Sequence, residues 1–391
     1  DPHAAMPEGE TALLTAARTG MADAVAVLLA HGARVDAREA TRGQTALMWA
    51  AGEGHASAIS TLLEHGADMN ARSDAGWTPL LFAAREGRLD ALRALLDAGA
   101  SPNDALPVRA GGPRRRPEGA PGGADSSRGL SALHLAVGSR HYELAALLLA
   151  RGANPNDSGP GWTALHQLTW IRKTGMGTNG PPPRGSGNLD SLELLRELVA
   201  RGADVNARVT GKPSAGTTAL NMIGGTPFFL AARTADVEMM RELASLGADP
   251  LLPNEDGTTP LMAAAGAGTQ SPGEDPGTEA EAVEAVTLAL ALGNDVNVVD
   301  RNGNTAMHGA AYKQLPLVVR LLTENGARVE VWNRKNSSGW TALRIAVGVH
   351  RGMNFRFHVP TADALRAVMA AAGVPTTVEP EPVVSGATPT K

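Results

Sequence analysis

Apolar and polar positions along this chain follow a helical rhythm that restarts at nearly fixed intervals. "QTALMWAAGEGHASAISTLLEHGADMN" (44–70) and "WTPLLFAAREGRLDALRALLDAGASPN" (77–103) display it twice. Each carries a Thr, an apolar pair, Ala-Ala, a Gly turn, Leu-Leu, then Gly-Ala and an Asn. In the second half of the unit Val25, Leu28 and Leu29 recur at i, i+3 and i+4, the spacing of one apolar helical face. The pattern predicts two short helices per unit, the second ended by a glycine at positive φ such as Gly32, Gly66, Gly99 or Gly152. Ahead of the first helix stands a hydroxyl: Thr at 11, 45, 78, 163, 226, 259, 305 and 341, and Ser at 131. Its side-chain oxygen can cap the helix, and a following Pro, as in Thr78-Pro79, suits the first helical position. Asp256-Gly257 and Asn302-Gly303 predict a turn just before the cap.

Nine copies of this unit, spaced by 33 or 34 residues where nothing is inserted, resemble the ankyrin repeat with its Thr-Pro-Leu-His-x-Ala signature. Ala replaces the Pro in six copies, and the His remains only at His134, His166 and His308. The resemblance spans residues 9–378, leaving an N-terminal extension (1–8) and a Pro/Thr/Glu/Val-rich tail (379–391) expected to be disordered. It implies an all-α repeat solenoid of about nine helix-turn-helix units with β-hairpin loops, stacked as one curved array. In that family the motif His is a local hydrogen-bonding residue.

The rhythm breaks near 104–127, 171–188, 207–224, 266–278 and 349–360. The second, fourth and fifth insertions separate the two helices of copies five, seven and nine, so they are expected to project from one edge and to be able to carry binding. Asp190-x-x-Glu193 and Thr278-x-x-Glu281 read as capping boxes that restart the second helix, and Thr361 after Pro360 reads as a third restart.

Composition then narrows the chemistry. With 35 basic and 40 acidic residues, net charge −5, the chain lacks the basic excess that nucleic acid demands. Absence of cysteine excludes disulfides, thiolate catalysis and Cys-based zinc sites. No apolar run is long enough for a membrane span. A start at Asp1 and the lack of cysteine lean the expectation toward a periplasmic or secreted chain, with the cytoplasm left open. "GMGTNG" (175–180) spells a dinucleotide fingerprint, but it follows a helix and runs into three prolines, so it reads as a Gly/Pro loop. The histidines show no zinc spacing, "GEDPGTEAE" lacks a calcium-loop pattern, and Arg114-Arg115-Arg116 reads as a solvated linker. No catalytic residue, cofactor or metal ligand is expected.

What remains is surface. The position before the capping Thr is Trp in three copies, Trp77, Trp162 and Trp340, and exposed Trp is a frequent interface anchor. Residues after Ala-Ala are expected to face outward: Gly52, Glu53, Arg85, Glu86, Arg233, Tyr312 and Lys313. The family resemblance implies that hairpins and first helices line a concave binding face. The expected function is a non-enzymatic scaffold that binds a protein partner through that face and the edge loops. A structural or accessory subunit of a larger bacterial complex, possibly extracytoplasmic, is the alternative, and an enzyme with its site in the inserted loops is a third.

Overall fold

The structure, a computed structural model, describes residues 1–2, 4–108, 129–173, 186–212, 218–351 and 354–378. Nine helix pairs succeed one another among them. The first four pairs are α1 (Ala12–Arg18) with α2 (Ala22–Ala30), α3 (Ala46–Glu53) with α4 (Ala56–Glu64), α5 (Pro79–Glu86) with α6 (Leu89–Asp97), and α7 (Ala132–Gly138) with α8 (Tyr142–Ala150). Next come α9 (Ala164–Arg172) with α10 (Ser191–Ala200), α11 (Pro227–Arg233) with α12 (Val237–Ser245), and α13 (Pro260–Ala264) with α14 (Glu279–Ala291). Last are α15 (Ala306–Lys313) with α16 (Pro316–Glu324), a short α17 (Val329–Trp332), and α18 (Ala342–Val347) paired with α19 (Val359–Ala371). Between α18 and α19 the strands β1 (Val349–Arg351) and β2 (Asn354–Arg356) pair antiparallel, Val349 opposite Arg356.

First helices pack on first helices and second helices on second, giving two layers around a core that runs from Leu13 to Met369. No unit could bury both faces alone, which is why the chain forms an all-α solenoid. In α2 only Val25 is fully buried, and Leu28 and Leu29 stay half-buried.

The hydroxyls of Thr11, Thr45, Thr78, Thr163, Thr226, Thr259 and Thr341 each accept the amide three residues on, satisfying one of the first helix's orphan donors. Ser131 departs from the expected cap: its hydroxyl bonds His134 Nδ1 at 2.8 Å instead of the helix backbone. Consecutive hairpins are tied by single backbone bonds, Ala40 N to Glu8 O, Asp74 N to Arg42 O and Arg301 N to Asp256 O, all 2.8–2.9 Å. The turn into the second helix needs a left-handed residue nine positions after the cap. Gly54 and Gly87 supply it freely, whereas Arg140, Ala235 and Gln314 adopt φ of +62°, +50° and +64° there against their side chains.

Both capping boxes form, Asp190 with Glu193 and Thr278 with Glu281. Thr361 is not a cap: it lies inside the first turn of α19, bonded to His358 Nδ1 at 2.8 Å, and His358 is the N-cap. The insertion at 266–278 does not project. Gly268 O accepts Ala219 N at 2.9 Å, Thr269 bridges Thr218, and Pro276 O accepts Lys313 Nζ at 2.7 Å, so it lies flat across neighbouring repeats. "GMGTNG", Arg114-Arg115-Arg116 and the tail 379–391 fall outside the described residues.

Candidate functional site

Between the hairpins and first helices of the second and third repeats runs a groove of about 760 Å³. Its floor is Met48, Trp49 and Gly52 of α3 with Phe82 and Arg85 of α5, and its rim is Arg42, Asp74, Trp77 and Pro107 from the hairpins. Trp77 and Phe82 pack at 5.4 Å between ring centroids, tilted by 34°. The Arg85 guanidinium covers them, 4.6 Å from the Trp77 centroid and 5.5 Å from that of Phe82. Arg18, bonded to Glu10 at 3.1 Å, lies 5.7 Å over Trp49 in the same way. Trp49 and Trp77 are half-buried, with Arg42, Glu53, Arg85 and Glu86 exposed around them.

The polar groups are partly spoken for. Glu86 Oε1 accepts Arg85 Nε at 2.7 Å and meets Nη2 at the same distance, leaving Nη1 without a partner among the described residues. Arg88 donates to Gly52 O at 2.9 Å and stands 3.9 Å from Glu53. The hairpin carrying Arg42 is fixed by Glu39, whose carboxylate accepts the amides of Thr41, Arg42 and Gln44 at 2.6, 2.8 and 3.1 Å. Burial works against that charge, but the three N–H donors outweigh it and hold the carboxyl below its usual range.

Of the residues singled out in the sequence, this groove gathers Glu53, Arg85, Glu86 and Trp77, together with Gly52. Sequence reasoning missed Trp49 and Phe82, although a signal existed: both stand four residues after the cap, Thr45 or Thr78. Trp340 sits far along the stack, half-buried, its amide bonded to Asn336 Oδ1 at 3.1 Å.

Four expected surface residues are covered. Trp162 is only 7% exposed, enclosed with Val209, Met222, Phe229 and Leu230 because residues 207–212 and 218–225 lie back over the first helices. Arg233 lies beneath the 266–278 insertion, 3.9 Å from Asp275, with both side chains about one-tenth exposed. Tyr312 is buried with its hydroxyl accepting from Asn336 Nδ2 at 2.9 Å. Lys313, 6% exposed, donates to Pro276 O, and burial pulls its ammonium down to about 8. Inserted segments cover Trp162, Arg233 and Lys313, whereas Tyr312 meets the next hairpin at Asn336.

The motif histidines do more than bond locally. His134, His166 and His308 each join their own cap hydroxyl to a carbonyl of the next hairpin, Trp162 O, Ala207 O and Arg334 O, at 2.9–3.2 Å. Burial holds the rings of His166 and His308 down to about 4, so they are neutral connectors between repeats. Among the described residues no three His, Asp or Glu side chains are grouped to hold a metal, and no helix is long and apolar enough to cross a membrane.

A family model of ankyrin repeats in three copies matches residues 13–105 and 278–353, and a single ankyrin-repeat model matches 128–159. The chain is an ankyrin repeat protein. Its fold is also similar to the crystal structure of the human ASB11 ankyrin repeat domain, at 22% identity and a TM-score of 0.48, over 72% of this chain and 98% of that one. Ankyrin repeats generally serve as protein–protein interaction modules. Among the described residues of this ankyrin array the hairpin and first-helix face is divided: the second and third repeats present the groove, while residues 207–212, 218–225 and 266–278 lie over repeats five to eight.

Proposed function

We propose that this ankyrin repeat protein is a non-enzymatic scaffold that holds a protein partner in the groove of its second and third repeats. The observation carrying this reading is the convergence of Trp49, Trp77, Phe82 and Arg85 in one concavity that the described residues leave open. Half-buried aromatics beside an arginine are the composition of interface hot spots, where one side chain can contribute about 2 kcal/mol or more. The straps over repeats five to eight already bury the apolar and cationic groups that would otherwise bind there.

Site-specific photo-crosslinking in the native host tests this. A crosslinker at Gly52 or Glu86 should trap a discrete protein, while one at the exposed Ser60 of α4, outside the groove lining, should not. Equal labelling from both faces, or none from the groove, rejects the proposal.

A further inference from the structure

The chain carries its own example of a filled groove. Residues 207–212 and 218–225 lie as a strap over repeats five to seven, pinned by Ala219 N to Gly268 O, Glu255 N to Ile223 O and Asn254 Nδ2 to Asn221 O at 2.6–2.9 Å. Two apolar side chains of the strap, Val209 and Met222, are buried against Trp162, Phe229 and Leu230. A second strap, 266–278, brings the carboxylate of Asp275 to Arg233 and a carbonyl to Lys313.

These contacts can be transferred by position. Trp162 immediately precedes its cap, as Trp77 does, and Leu230 stands four residues after its cap, as Trp49 and Phe82 do. Arg233 stands seven after Thr226, as Arg85 stands seven after Thr78. So the apolar wall and the arginine that the straps cover in the later repeats reappear in the second and third, where the described residues leave them uncovered. Arg85 pairs with Glu86 and Arg88 stands beside Glu53, while Arg42 and Asp74 line the same groove, so the charges balance and the position open to a further acceptor is Arg85 Nη1, which has no partner among the described residues.

We infer that the groove of the second and third repeats takes an extended partner segment carrying an apolar side chain for the Trp49–Trp77–Phe82 wall and a nearby Asp or Glu for Arg85. This deepens, and rests on, the proposed scaffold function. The carboxylate would form a charge-assisted bond to Nη1 while the apolar group displaces water from the aromatic wall.

The test uses the full chain and a phage-displayed random 12-residue library, with binding of the enriched peptides measured by fluorescence polarisation. Enriched peptides should share an apolar residue and an acid. Trp77→Ala and Arg85→Gln should each weaken them tenfold or more, while Arg320→Ala on α16 leaves affinity unchanged. Changing the peptide's acid to its amide should cost as much on the parent chain and almost nothing on Arg85→Gln, a coupling that a structural effect of the substitution would not produce. Thermal unfolding of each variant shows that it remains folded. Peptides that need Trp77 but are basic or acid-free overturn this inference and leave the scaffold reading standing. A library that yields no groove-dependent binder overturns both.

Discussion

The guanidinium of Arg85 lies over the indole of Trp77, 4.6 Å from the ring centroid, at the centre of the groove. Both groups reach solvent, and the neighbouring Glu86 is exposed too. Stacking of this kind contributes about 0.5–1 kcal/mol at an exposed site. Arg85→Ala should therefore lower unfolding stability in urea by under about 1 kcal/mol. A markedly larger loss would make the stack a structural element and not a surface prepared for a partner.

Asp236 is 1% exposed and faces Arg172 Nε at 2.7 Å, while also accepting Met239 N at the start of α12. Removing it leaves the largely buried guanidinium with Glu238 and Ser191 as its remaining partners and uncaps the helix. Asp236→Ala should cost about 2–4 kcal/mol in chemical denaturation, and Arg172→Met with Asp236→Asn should recover part of it. A loss near that of an ordinary surface substitution would refute the pair's role in joining repeats five and six.

Acid should loosen the array through His166 and His308. Their rings sit near 4 in the folded chain, below an unfolded value of about 6.5, so the unfolded chain binds the extra protons in between. Stability is then complete above about pH 6.5 and falls as pH drops toward 4, by up to about 3 kcal/mol for each ring. Urea midpoints at pH 7.5 and 5 should converge in a His166→Gln, His308→Gln variant relative to the parent. An unchanged difference between the two pH values would exclude these rings as the source.

Gly268 combines a φ of +77° with close approach: a Cβ there would sit 2.5 Å from the Leu220 nitrogen. Gly268→Ala should push the 218–223 strap off the first helices, expose Trp162, and red-shift tryptophan emission, with about 1–3 kcal/mol of destabilisation. Unaltered emission would mean that the strap is not held by this contact.

The reverse change should help at Gln314, which takes φ +64° in the turn where other repeats use glycine. Gln314→Gly is expected to stabilise by up to about 1 kcal/mol. A drop in thermal midpoint would show that its side chain contributes more than the backbone strain costs.

The groove was half legible in the sequence. Glu53, Arg85, Glu86 and Trp77 could be placed on one face because cap spacing fixes where helix residues point. Trp162, Arg233, Tyr312 and Lys313 obeyed the same spacing and ended covered. Spacing gives a side chain's direction from its own element but carries no information about a segment 60 residues further along the chain that comes to cover it, as Met222 does for Trp162.

Local chemistry written into the sequence determined the repeats: threonine caps, paired alanines, apolar stripes and glycine turns act within a few residues, so the ankyrin stack follows from them directly. Only the tertiary structure decided which part of the shared face stays accessible. That choice depends on where irregular segments come to rest, on bonds such as Ala219 to Gly268 and Lys313 to Pro276, and such long-range contacts have no periodic trace in the chain.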